Sequence, residues 1–139
     1  MKLQKKSFLV DTNLFISAFK SGETKSTELF IKLIKDDEIE LVANEILLKE
    51  YEKYAENLGP KSKKFFTILS ENCKMIKPTK EEIRECEEYF EDSQADVIHA
   101  ASCLRQESIL MTNDKDFDDI KESGPIEVWG ISKAIKNIL

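Results

Sequence analysis

The sequence predicts an α/β domain with a mainly parallel central sheet flanked by helices. Strand-length apolar runs recur at Ser7-Phe8-Leu9-Val10, Ile39-Glu40-Leu41-Val42, Ile109-Leu110-Met111-Thr112 and Ile126-Glu127-Val128-Trp129. Between them, apolar residues repeat at helical spacing with Lys and Glu interspersed. The connections are long enough for crossovers, which parallel strands require. The 139 residues contain no internal repeat, linker or low-complexity tract, so one domain over residues 1–139 is expected.

Each element has a local reason. Ser7 to Val10 reads as a buried strand whose C-terminal end delivers Asp11, with Thr12 or Asn13 capping a short helix through Leu14 to Phe19. Ser21-Gly22 is a break. From about Ser26, Leu29, Phe30, Leu33 and Ile34 line one helical face, which Asp36-Asp37 ends. After the strand at Ile39 to Val42, Asn44 is a natural N-cap for a helix through Ile46, Leu47, Glu50, Tyr51 and Tyr54. Leu58-Gly59-Pro60 stops that helix.

Phe65, Phe66, Ile68 and Leu69 mark another helix, preceded by Lys61, Lys63 and Lys64 as a solvated start. Lys74 to Lys77 is briefly extended, and Thr79 caps an acidic helix from Glu81 to Phe90 whose face is exposed. The helix led by Asp96 puts Val97, Ala100, Ala101 and Leu104 on one face, where small residues permit close packing. The strand at Ile109 to Thr112 ends on Asn113-Asp114, Phe117 and Ile120 anchor a short helical turn, and Ile131 to Leu139 is a closing helix. Phe15, Phe19, Phe30 and Tyr51 are expected in the core.

Composition excludes several classes. With 41% hydrophobic and 35% charged residues the chain is globular rather than disordered. No apolar run approaches the roughly 20 residues that span a bilayer. Phe8-Leu9-Val10 is too short for a secretion signal and is interrupted by Asp11, so a cytoplasmic location without membrane attachment is expected. Three dispersed cysteines (Cys73, Cys86, Cys103) and a single histidine, His99, do not make a zinc site. The thiols are expected to be buried or half-buried, and His99 to be a helix-surface or packing residue. Four glycines without a phosphate-loop pattern argue against nucleotide cradling.

The carboxylates point to chemistry. Parallel sheets place ligands beyond the C-terminal ends of their strands, and two strands here finish on an acid, at Asp11 and at Asp114. Facing one another, desolvated carboxylates repel, and a hard divalent cation such as Mg2+ or Mn2+ resolves the conflict. The formal charge of −6 lacks the basic footprint usual for nucleic-acid binding. Carboxylates gathered around cations count in that sum while their ions do not.

Three stretches, LVDTNLFISA, LVANEILLKEY and ADVIHAASCLRQESILMTNDKDF, occur in an order that resembles the PIN-domain ribonucleases, including the VapC-type toxins. Together they reach across nearly the whole chain. The resemblance implies a PIN-like three-layer sandwich and an acidic quartet of Asp11, Glu50, Asp96 and Asp114. Asp11, Asp96 and Asp114 would hold metal, with Glu50 as ligand or water-orienting base, and Asn13, Thr112 and Asp116 would support them. Glu45 shares a helix with Glu50, which is preferred because it precedes an aromatic at the family's spacing. Asp116 competes with Asp114, and Asn44 stands where the family often has Ser.

The implied activity is Mg2+- or Mn2+-dependent hydrolysis of RNA phosphodiester bonds. The implied partners are an RNA substrate, an antitoxin protein and a second copy of the chain. The competing reading is a catalytically inactive PIN-like RNA-binding or scaffolding module. A receiver-like signalling domain fits poorly, because no strand end supplies an Asp-Asp pair.

Overall fold

In the computed structural model, which describes residues 6–20 and 24–139, five parallel strands form one sheet in the order β3-β2-β1-β4-β5. They are β1 (Lys6–Val10), β2 (Ile39–Ala43), β3 (Cys73–Met75), β4 (Ile109–Met111) and β5 (Val128–Trp129). Phe8, Leu9 and Val10 are all buried, which suits a strand covered on both faces and places β1 at the centre. The chain builds outward from β1 to β2 and β3, then returns to lay β4 against the other side of β1. The strand order reverses between β1 and β4, where open α/β sheets form a crevice for ligands.

Helices connect every strand. α1 (Thr12–Lys20) follows β1 directly, and α2 (Lys25–Lys35) is opened by a capping box of Thr24 and Thr27. α3 (Glu45–Leu58) begins on Asn44 and gives way to α4 (Pro60–Asn72) across Gly59, whose φ of 103° favours glycine. α5 (Lys80–Glu87) is capped by Thr79, and α6 (Gln94–Gln106) by Ser93. A 3-10 turn (Lys115–Phe117) runs into α7 (Asp118–Ser123), and α8 (Ile131–Ile138) closes the fold.

Packing fixes the elements that carry the site. Phe15 is fully buried, with its ring 5.1 Å from Tyr51 and 5.7 Å from Phe30 between centroids, tying α1 to α3 and α2. The small residues Ala100 and Ala101 let α6 lie on β1 and β4, and α6 also packs against α3 and α5. Cys86 and Cys103 are buried and Cys73 half-buried, all as free thiols. Burial pushes the Cys73 thiol up to about 12, so it has little thiolate character.

The α/β architecture and the order of its elements follow the pattern read from the sequence, and the differences lie at element ends. Thr12 and Asn13 do not cap α1 but lie within it, because Asp11 accepts the exposed N–H groups: its carbonyl takes Leu14 and its carboxylate takes Thr12. α5 stops at Glu87 rather than Phe90, where Tyr89 and Phe90 close tight turns back to Cys86 and Glu87. Ser21-Gly22 lies outside the described residues. No helix among the described residues is long and apolar enough to cross a membrane.

α6 ends on Glu107, which adopts a left-handed conformation at φ 56° so that the chain can turn into β4. A side chain costs about 1–2 kcal/mol there, partly offset by its lower backbone freedom when unfolded. Glu107→Gly should therefore raise stability by roughly 1 kcal/mol. Urea denaturation would check this, and an unchanged or lowered midpoint would contradict it.

Candidate active site

The site starts at the last residues of β1. The Tyr51 hydroxyl donates to the carbonyl of Val10, and the Asp11 N–H donates to the Met111 carbonyl at 3.0 Å, locking the strand end to α3 and β4. Asp11 itself is buried, with 6% exposure. Its Oδ1 accepts the Thr12 N–H at 2.8 Å, and its Oδ2 accepts the Thr112 hydroxyl at 2.7 Å. Thr112 follows β4 and also accepts from Asn13 Nδ2 at 3.1 Å and from the Asp114 N–H at 3.0 Å. A hydroxyl offers one donor and two acceptor sites, so Thr112 is fully used and joins Asp11, Asn13 and Asp114 through one oxygen.

Two helices complete the pocket. Glu50 projects from α3 so that Oε2 lies 3.4 Å from the Thr12 hydroxyl and Oε1 lies 3.1 Å from His99 Nε2. His99 stands on α6, and its Nδ1 is 3.0 Å from Asn44 Nδ2. Asp96 occupies the first turn of α6, where its N–H donates to the capping Ser93 hydroxyl at 3.2 Å. The ligand atoms of Asp11, Glu50 and His99 lie within 4.8 Å of one another, as do those of Asp96, Asp114 and Asp116. Asp96 links the groups, since its carboxyl feels the charges of both Asp11 and Asp114.

Of the four acids singled out in the sequence, Asp11 and Glu50 thus meet beside the end of β1, and Asp96 and Asp114 meet in the second group, which Asp96 links electrostatically to Asp11. Of the pair on α3, Glu50 enters the first group, whereas Glu45 is exposed and lines a separate groove with Ile46 and Met75. Asp114 and Asp116 both belong to the second group, and the Asp116 N–H donates to Asp114 Oδ1 at 2.9 Å. Of the two positions expected for His99, surface or packing, it takes the second: it is 1% exposed, and it is bonded on both ring nitrogens. One signal was available, because His99 lies three residues after Asp96 and so on the same face of a helix. Asn44 and Thr12 also take part, beyond the capping roles their positions suggested.

The electrostatics describe a pocket short of positive charge. Burial raises the Asp11 carboxyl above its ordinary 3.8, the Thr112 hydrogen bond partly offsetting it. Burial likewise raises Asp96, and its neighbours Asp11 and Asp114 add to the effect. Asn13 Oδ1 is a buried oxygen with no hydrogen-bond partner. Unneutralised buried carboxylates and an orphan acceptor are both costly alone, and both are relieved by a divalent cation with its bound water. The donors are oxygens, so these residues fit such an ion.

Residues 8–123 match the PIN domain family, a stretch that holds Asp11, Glu50, Asp96 and Asp114. The chain belongs to that family, whose members are generally nucleases. Its fold is similar to VapBC-1 from nontypeable Haemophilus influenzae, with a TM-score of 0.65 at 17% identity over 91% of this chain and 99% of that one. FitAcB from Neisseria gonorrhoeae gives 0.61 at 16% identity over 88% and 96%. PAE2754 from Pyrobaculum aerophilum gives 0.62 at 14% identity over 96% and 97%. Identities this low speak for the fold alone. No curated protein sequence matches the chain.

A raised carboxyl has a defined effect on stability. In the ion-free chain, the stability Asp11 contributes is fully present below its unfolded value and is lost as pH rises through its higher folded value. The stability difference between wild type and Asp11→Asn should therefore fall as pH rises above the ordinary carboxylate value of 3.8. Saturating Mg2+ or Mn2+ should restore it at the higher pH. Urea midpoints of both proteins across this rise in pH are the check, and a flat or rising difference would contradict the assignment.

Proposed function

We propose that the chain is a Mg2+- or Mn2+-dependent ribonuclease that hydrolyses RNA phosphodiester bonds at the pocket of Asp11, Glu50, Asp96 and Asp114. The observation that carries this reading is the gathering of carboxylates around the buried Asp11 at the sheet's reversal point in a PIN domain, with Glu50 and Asp96 half-buried and Asp114 exposed. When bound, the cation supplies a water of lowered pKa and a positive charge against the phosphate. Asp11 and Asp96 would hold it, the first kept rigid by Thr12 and Thr112. Asp114, with Asp116 beside it, would add oxygens for a second ion or its bound water. Glu50 orients the attacking water and accepts its proton. A Ser-His nucleophile has no part here, since both ring nitrogens of His99 are engaged by Asn44 and Glu50.

This reading also accounts for an acidic protein acting on RNA. The formal charge of −6 counts the pocket's carboxylates without the cations that would offset them. The likeness in fold to VapBC-1 and FitAcB supports a role as the toxin of a toxin–antitoxin pair, with an antitoxin partner.

Purified chain with Mg2+ or Mn2+ should cleave RNA, and EDTA should stop it. Asp11→Asn and Asp96→Asn should each lower cleavage by more than about 100-fold, exceeding the usual loss when only an outer-shell partner is removed. Calorimetry should show weaker Mn2+ binding in both variants. RNA left intact with either ion would sink the reading, and tight RNA binding without metal binding would instead favour a non-catalytic module.

A further inference from the structure

The first turn of α3 sets a chain of hydrogen bonds that ends on Glu50. The Leu47 N–H donates to Asn44 Oδ1 at 2.8 Å, which commits the only acceptor of that side-chain amide. The Nδ2 group is then a pure donor, directed at Ser102 Oγ (3.1 Å) and at His99 Nδ1 (3.0 Å). Ser102 gives its own hydroxyl proton to the Ile98 carbonyl at 2.8 Å, so it can only accept from Asn44. His99 Nδ1 faces a donor as well and must be bare. In a neutral imidazole the proton is then on Nε2, and Nε2 lies 3.1 Å from Glu50 Oε1.

We propose that His99 is a positioning residue for Glu50, a neutral ring whose proton is held on Nε2 by Asn44 and which donates to the carboxylate instead of binding metal. The catalytic consequence rests on the ribonuclease reading above. A nitrogen that carries a proton has no lone pair for an ion, so the proximity of His99 to Asp11 and Glu50 does not make it a ligand. The donor set stays all-oxygen, as hard cations prefer. Glu50 is 30% exposed on a long, rotamer-rich side chain, and His99 removes that freedom by fixing Oε1. Oε2 is left beside the Thr12 hydroxyl and Asp11. Burial of the ring at 1% exposure keeps the arrangement rigid.

His99 is the chain's one histidine, so untagged, 15N-labelled protein gives a single imidazole pattern. The ion-free wild type should show a bare Nδ1 and a protonated Nε2. Asn44→Asp keeps a good helix cap but accepts where the amide donated, so a proton should appear on Nδ1. His99→Ala should lower kcat by about 10- to 100-fold with KM nearly unchanged. His99→Gln, whose amide offers the same acceptor and donor, should recover most of that loss. A wild-type proton on Nδ1, or a folded His99→Ala variant with wild-type kcat, would overturn the inference. Should His99→Ala fail to fold, Asn44→Asp replaces it: reduced kcat supports the inference, and wild-type kcat overturns it. The nitrogen spectrum needs no turnover, so it decides the ring's role even if the wild type cleaves no RNA, a result that would remove the proposed function alone.

Discussion

Asp11 stands where the central strand leaves the sheet, in a position that water scarcely reaches. A carboxylate there must be hydrogen-bonded from several sides or neutralised, and the surrounding structure is arranged around that requirement. The backbone of β4 fixes its N–H, Thr12 takes one oxygen and Thr112 the other. Because Thr112 has no valence left over, Asn13 and Asp114 are positioned by the same oxygen. Moving any one of these groups moves the others, which makes the pocket a cooperative unit rather than a set of separate side chains.

The helices meet a second demand, to bring further acids close without letting them collapse outward. α6 can approach β1 and β4 because Ala100 and Ala101 occupy little space, and that approach carries Asp96 into reach of Asp11 and Asp114. α3 is held by Tyr51, whose hydroxyl meets the carbonyl of Val10 one residue after Glu50 leaves the same helix. Apolar packing and the polar site are therefore neighbours along the chain, and the order of the core sets the precision of the carboxylates.

Much of this was legible in the residues. Apolar runs ending in Asp11 and Asp114 located two strand ends, and Asn44 announced the start of α3 by its capping chemistry. The second task of Asn44 was not legible, because its amide meets a ring 55 residues away and only the packing of α3 on α6 brings them together. For the same reason the residues left His99 open between a surface and a packing position: helical spacing gives a face but not which face is covered. Asp114 and Asp116 remained paired because the turn between them bends one back onto the other. Glu50 was preferred to Glu45 on its spacing before Tyr51, and the direction of α3 turns Glu45 away to an exposed position.

The bond between Thr112 and Asp11 joins residues 101 positions apart. Contacts of that span form late, since the loop they close must be ordered before they reward it. During synthesis, a chain that has not yet released β4 has its first carboxylate held by Thr12 alone, without the Met111 carbonyl and the Thr112 hydroxyl. The cluster around Asp11 is therefore assembled only after β4 and the residue that follows it have emerged from the ribosome.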